Sequence, residues 1–313
     1  MKVSVIICTR NRAERLAKTL DCFESLEVPP GLQPEILVVD NGSTDHTAKV
    51  VRCHPAERIP VRYLFEALPG VARAKNKGMA ACGGEIILCI DDDVMPQKNW
   101  MRHMAAPLVR RECDGVVGHI ELAKELCRPW MTTQHKARLA VYEGPGPAPD
   151  TPQLIGACMG FHRSVLERVP GFDVELGPGA LGLCEETLFC WQLAEAGFRI
   201  HYAPEAVVTH CPDPSRLARS SWLSIGRKDG ASKAYIMHHW LHQELLWPGL
   251  QYCYFALKLH LRRLLKPPGA LDSEGIAAWE MSYAGKMDEK RQFLIERKRP
   301  RNYTKRGLRK LRP

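Results

Sequence analysis

Glu85-Ile86-Ile87-Leu88-Cys89-Ile90-Asp91-Asp92-Asp93 runs an apolar strand without a break into three consecutive carboxylates. A continuous apolar run of this length reads as a strand buried on both faces. Three adjacent acids repel one another and cannot all be buried without partners, so a cation is expected at this strand end. A divalent metal with a phosphate on its far side would supply it. A solvated turn after a core strand is the plainer alternative.

Around that stretch, the first 120 residues alternate short apolar runs with helical spacing, the pattern of a mostly parallel sheet covered by helices. Strands are expected at residues 3–8, 36–40, 62–65, 85–90 and 115–120, and helices at 12–25, 44–52, 71–82 and 98–110. In open parallel sheets, ligands bind beyond the carboxyl ends of the strands. The polar residues collect there: Thr9-Arg10-Asn11-Arg12, Asp40-Asn41-Gly42-Ser43 and Asp91-Asp92-Asp93. Periodicity is lost from Glu121 to Gln153, which includes a Gly/Pro loop at 144–149. Order returns at 154–161. Glu185-Glu186-Thr187 then opens a helix that Gly197 closes, with its acids at the positive helix end. Residues 199–202 and 206–210 read as two short strands. After Pro214 the chain turns helical, with breaks at Pro248 and at Pro267-Pro268.

The 313 residues are 45% hydrophobic and 25% charged, the balance of a globular protein. The net charge of +9 belongs to one end: nine Lys or Arg and no acid lie between Arg297 and Arg312. Without them, the remaining 35 cations match the 35 acids, so the body is balanced. That balance, with few aromatics interleaved in the tail, argues against nucleic acid as a partner. The twelve cysteines include no C-x-x-C pair, and Cys8, Cys89 and Cys158 sit in apolar runs, as free thiols in a reducing compartment do. No leader peptide is legible, and no apolar run approaches the ~20 residues that span a bilayer. The expected location is cytoplasmic.

Five ordered motifs resemble glycosyltransferase family 2, the inverting nucleotide-sugar enzymes of GT-A fold. They are Val3-Ser-Val-Ile-Ile-Cys-Thr-Arg-Asn-Arg, Val38-Val-Asp-Asn-Gly-Ser-Thr-Asp, Pro69-Gly-Val-Ala-Arg-Ala-Lys-Asn-Lys-Gly, Asp91-Asp-Asp, and Glu185-Glu-Thr followed by Ala194-Glu-Ala-Gly-Phe. The resemblance implies an α/β GT-A fold, Rossmann-like, with a mostly parallel sheet flanked by helices and a helical C-terminal extension. It places a catalytic domain at 1–212, with a nucleotide-binding half to about 120 and an acceptor half beyond it. The helical extension covers 213–296, and the basic tail at 297–313 is expected to be disordered.

The resemblance also assigns roles. Asp40 would hydrogen-bond the nucleobase, the plainer reading being an Asx turn with Asp45 as a helix cap. Thr9, Arg12, Arg73, Asn76, Asp91 and Asp92 would line the donor, a UDP-, GDP- or dTDP-sugar. Lys75 stands where the family has Arg, and a solvent-facing helix charge is its alternative. Asp91 and Asp93 match the D-x-D motif and, with His210, would hold Mg²⁺ or Mn²⁺. Glu186 would be the catalytic base where the family carries Asp, and Glu185 a helix cap. The acceptor would be a glycan or a lipid-linked sugar, as in cell-envelope polysaccharide synthesis. The longer side chain at Glu186, and Leu188 where another acid is common, suit an alternative: a nucleotide-sugar-binding or scaffold protein that has lost catalysis.

Leu250, Tyr254, Leu257, Leu261 and Leu264 fall on one helical face, flanked by Lys258, Arg262, Arg263 and Lys266, with Trp240 and Trp247 upstream. A basic amphipathic helix of this kind can lie in the headgroup layer of an anionic membrane, aided by the tail. That reading makes the protein peripheral on the cytoplasmic membrane face. Packing on the catalytic domain or on a second subunit is the alternative.

Overall fold

The computed structural model describes residues 1–144, 153–265 and 274–311. Most of the Gly/Pro loop at 144–149, and Pro267-Pro268, lie outside them. The chain forms two compact units. The first comprises Met1–Glu125, Leu139–Val174 and Glu185–Pro212; the second comprises Leu126–Arg138, Glu175–Cys184 and Asp213–Pro313. Two segments inside 1–212 therefore belong with the C-terminal helices.

The first unit is built on β1 (Lys2–Thr9), β2 (Gln33–Asp40), β3 (Val61–Phe65), β4 (Ile86–Asp91), β5 (Val94–Pro96), β6 (Gly115–Leu122), β7 (Met159–His162) and β8 (Ile200–His210). They form one sheet in the order β3-β2-β1-β4-β7-β6-β8-β5. The expected parallel block is present at β3-β2-β1-β4, and β6 and β8 also pair in parallel. The sheet is nevertheless mixed: β7 runs antiparallel between β4 and β6, and β5 runs antiparallel along β8. The two strands expected at 199–202 and 206–210 are one strand. Its register on β6 slips between Gly118 and His119, so the residues between Ala203 and Val207 bulge out. Pro204 falls in that bulge, where its missing N–H costs no ladder bond.

Helices α1 (Ala13–Glu24), α2 (Thr47–Cys53), α3 (Val71–Ala81), α4 (Trp100–Val109) and, after α5 (Thr133–Arg138) of the second unit, α6 (Glu185–Glu195) surround the sheet. α1 buries Leu16, Leu20 and Phe23, spaced for one face, and Phe23 meets Trp100 edge-on at 5.9 Å. α3 lies tight against the sheet at Gly78, where a Cβ would stand 2.7 Å from the Ile6 side chain. The parallel register aligns the strand ends that matter, with Thr9 beside Asp40 and Cys8 beside Asp91.

The second unit holds α5, α7 (Arg219–His239), α8 (Pro248–Leu265) and α9 (Ala278–Glu296). α7 and α9 meet backbone to backbone: a Cβ on Gly226 would lie 2.7 Å from the Met281 carbonyl oxygen, and one on Gly285 2.7 Å from that of Gly226. Buried Trp222 meets His135 and Trp130 edge-on. The basic tail is not disordered through Leu311. Tyr303 is buried, Trp240 Nε1 donates to the Gly307 carbonyl at 2.9 Å, and the Arg306 N–H donates to the Trp240 carbonyl at 2.8 Å. Arg299 forms ion pairs with Glu175 and Glu296, Arg301 with Glu244, and Lys310 with Glu175. An aromatic anchor and acids contributed by distant segments hold a stretch whose own composition suggests disorder. Among the described residues, no helix is long and apolar enough to cross a membrane.

Candidate active site

The acids after β4 are divided between two cations of the protein itself. Asp92 and Asp93 are buried, and the Arg12 guanidinium bridges them at 2.7 and 3.1 Å. Arg12 enters at the start of α1, which brings a residue expected to contact the donor onto these acids. Burial still pushes the Asp92 carboxyl up, to about 6, against Arg12, which pulls it down, and with the neighbouring Asp93 adding to the rise. On its other side Asp93 faces His210 Nε2 at 3.3 Å, and the opposite ring nitrogen, Nδ1, meets the Leu139 carbonyl at 2.7 Å. The backbone secures this corner, because the Cys211 N–H donates to the Asp93 carbonyl at 2.8 Å.

Among the described residues, no three acid, histidine or cysteine side chains converge to ligating distance. Asp93 and His210 form a close pair, while Asp91, raised by burial, has Lys75 as its principal counter-charge. The chemistry of the set still suits a divalent ion: two carboxylates and an imidazole are fitting donors for Mg²⁺ or Mn²⁺. Beside them, the buried Thr9 hydroxyl lies by the Asp92 carboxylate and helps to hold it down.

The second cation is Lys75. Its ammonium is buried and pairs with Glu186 and, at 3.2 Å, with Glu185, the first two residues of α6. The same ammonium lies 5.2 Å from the Phe172 ring centroid. Despite its burial, Lys75 is held charged well above the usual range by Glu186, Glu185 and Asp91. Burial and the charge of Glu186 push the Glu185 carboxyl up, to about 7. Burial acts on Glu186 too, but Lys75 and the Gly156 N–H outweigh it and hold that carboxyl below the usual range. The two differ in reach: the Glu185 side chain is 6% exposed and that of Glu186 24%. The solvent-facing reading of Lys75 is therefore overturned. The sequence carried a signal for this, since Ala72, Gly78 and Met79 share its helix face and are buried. A lysine on such a face needs a buried counter-charge.

Asn76, one residue on, turns about 100° away around the helix and does not join the acids. Its amide donates to the Phe172 carbonyl at 2.8 Å and accepts from the Phe172 N–H at 2.8 Å. Both ends of the amide engage backbone, and Asn76 thereby fixes the phenylalanine over which Lys75 sits. Arg73, half-buried in the first turn of α3, makes no hydrogen bond or ion pair among the described residues.

Asp40 ends β2 buried, with one oxygen accepting from the Ser43 N–H at 2.8 Å and the other from the Tyr63 hydroxyl at 2.8 Å. The turn reading is thus realised in its geometry, and Asp45 accepts from the N–H groups that open both α1 and α2. Burial, then the bond to Asp40, pushes the Tyr63 phenol up to about 12, so it remains a donor. Sequence reading missed Tyr63 because only the pairing of β3 with β2 puts it, opposite Val38, on the face that Asp40 shares.

The fold and this carboxylate-rich edge define an α/β protein with a candidate site at the carboxyl ends of the parallel strands of a mixed sheet. The model for Glycosyl transferase family 2 matches residues 4–169, more than half the chain, and the chain belongs to that family. Among curated relatives, it is 27% identical over 223 residues to the Pre-mycofactocin glycosyltransferase of Mycobacterium tuberculosis, covering 66% of this chain and 42% of that one. It is 32% identical over 120 residues to Glycosyltransferase AglE of Haloferax volcanii, covering 38% of this chain and 39% of that one. The chain thus spans less than half the length of these relatives. Among solved structures, its fold is similar to Mannosyltransferase PcManGT from Pyrobaculum calidifontis in complex with GDP-Man and Mn2+, with a TM-score of 0.63 and 20% identity over 94% of this chain and 87% of that one. It is also similar to S. aureus TarS in complex with UDP-GlcNAc, with a TM-score of 0.52 and 16% identity over 97% and 93%.

Proposed function

We propose that the protein is an inverting glycosyltransferase that moves a sugar from a nucleoside-diphosphate donor to a glycan or lipid-linked acceptor on the cytoplasmic side of a membrane. The observation that carries this reading is Glu186: an ionised, partly exposed carboxylate clamped by a buried lysine, with Asp91 the third acid around that lysine. Family membership and the donors named for the similar structures, GDP-Man and UDP-GlcNAc, support the substrate class.

In this reading the acceptor hydroxyl attacks the anomeric carbon opposite the leaving phosphate. One C–O bond forms as the other breaks, the hydroxyl proton passes to Glu186, and the bonding pair leaves with the diphosphate. Between the two glutamates, titration alone would select Glu185, whose carboxyl is poised near neutrality. Reach selects Glu186, because the side chain of Glu185 is enclosed. Lys75 keeps Glu186 ionised and fixed in one direction, and Glu185 completes the charge around Lys75. Asp93, with His210 and Asp91, would hold Mg²⁺ or Mn²⁺, which when bound offsets charge on the departing diphosphate. Asp40, braced by Tyr63, would accept from the nucleobase.

The test is release of nucleoside diphosphate from UDP-, GDP- and dTDP-sugars with Mg²⁺ or Mn²⁺. Glu186→Gln should lower turnover by roughly 10²–10⁴ while donor-induced thermal stabilisation persists. Asp93→Ala should abolish both turnover and the metal response. Full turnover in Glu186→Gln would refute the assignment of the base. Donor binding by the unmodified protein without turnover across a broad acceptor panel would favour the non-catalytic alternative.

A further inference from the structure

Among the described residues, α8 is covered on one side only. Phe255 packs against Tyr283 of α9, Arg262 stacks 4.7 Å from the Trp279 ring, and Arg263 pairs with Glu280. Gln251, Tyr252, Phe255, Ala256 and Leu259 on that side are half-buried. The opposite side is bare and apolar: Trp247, Leu250, Tyr254, Leu257, Leu261 and Leu264 are 48–74% exposed. At about 100° per residue the five of them within α8, from Leu250 to Leu264, fall within an arc of roughly 80°. Eight of the fifteen exposed large hydrophobic side chains among the described residues lie between Leu246 and Leu265. A stripe so concentrated needs a partner.

Charge identifies the partner. α8 contains no acid, and its bare face is bordered by Lys258 and Arg262 on one side and His260 on the other. Lys258 lies 4.5 Å from the Tyr254 ring, its stem along the apolar stripe and its charge at the border. A second copy meeting this helix about a two-fold axis would bring cations against cations with no acid on α8 to answer them. A bilayer surface carrying anionic headgroups meets both needs: hydrocarbon for the leucines and phosphates for the border. We infer that the exposed face of α8 is a docking surface for an anionic phospholipid bilayer, with the helix lying in the headgroup layer. The tail has a smaller part in this than its composition suggests, since Arg299, Arg301 and Lys310 are already paired within the protein.

The test is flotation of the full-length protein with vesicles of phosphatidylcholine alone and of phosphatidylcholine mixed with phosphatidylglycerol. The mixed vesicles should carry the protein and the neutral ones should carry it weakly. Leu257→Glu with Leu261→Glu should reduce binding at least about tenfold, and Lys258→Ser roughly fivefold. Because these side chains are exposed, the melting curve should stay that of the unsubstituted protein. Absence of binding to the mixed vesicles, or unchanged binding by the double variant, would overturn the inference. So would a dimer, seen by sedimentation, that the same double substitution dissociates while the protein ignores vesicles. Flotation does not depend on turnover, so neither outcome bears on the proposed transfer reaction.

Discussion

Replacing Lys75 by Met retains an unbranched stem and removes the charge shared by Glu185, Glu186 and Asp91. Breaking a buried ion pair by deleting one partner costs about 3–5 kcal/mol, because the remaining charges stay buried without compensation. For a domain of this size, each kcal/mol moves the melting point by about 2–4 °C, so a fall of roughly 6–20 °C is expected. The loss depends on pH in a defined sense. Glu186, depressed by Lys75, contributes stability that is present above its ordinary range and disappears as pH falls through its folded value. Glu185, raised to about 7, is protonated in the folded protein at pH 5 and mostly ionised at pH 8. Loss of Lys75 should therefore hurt more at pH 8 than at pH 5. The assay is urea unfolding at both values for Lys75→Met, Glu186→Gln and the double variant. The double-mutant cycle should show coupling of at least about 1 kcal/mol at pH 8. Additivity within about 0.5 kcal/mol, or the same loss at both pH values, would refute the reasoning.

Three further outcomes follow from the same site. Glu185→Gln should flatten the fall in stability between pH 4.5, the ordinary value for the carboxyl, and about 7, since the folded state holds a proton there that the unfolded state has lost; superimposable urea-midpoint profiles would contradict this. Gly156→Ala would drive a Cβ into the Glu186 carboxylate and to 2.7 Å from Lys75 Nζ. Its kcat should fall about 10²-fold with nucleoside diphosphate binding intact, and unchanged turnover would remove Gly156 from the argument. Tyr63→Phe deletes the hydroxyl that braces Asp40, and calorimetry should record nucleoside diphosphate affinity about tenfold weaker. An unaltered Kd would detach Asp40 from nucleobase recognition.

The apolar run ending in Asp91-Asp92-Asp93 is legible by itself because a strand buried on both faces must be greasy and its carboxyl end must face a crevice. The same logic located Thr9, Asp40 and Glu186 at strand or helix ends, where chain direction alone dictates which residues emerge. Strand partners are another matter. β7 slots antiparallel between β4 and β6, and no residue of Met159–His162 announces its neighbours. Ion pairing is equally non-local. The acid triplet called for a cation, and the sequence offered a metal; tertiary structure brought Arg12 from 80 residues away and assigned Lys75 to acids 110 and 111 residues distant. Asn76 and Lys75 are adjacent in the chain, yet one clamps Phe172 and the other holds Glu186, because a helix turns about 100° per residue. The basic tail shows the same limit, since its order rests on Tyr303 and on acids of other segments. Sequence alone determined the family, through its ordered motifs, and, through local periodicity and chain direction, the strands β1 to β4 with their helices and the strand ends that carry the candidate site. Only the tertiary structure decided which charges meet, because an ion pair depends on distance in space.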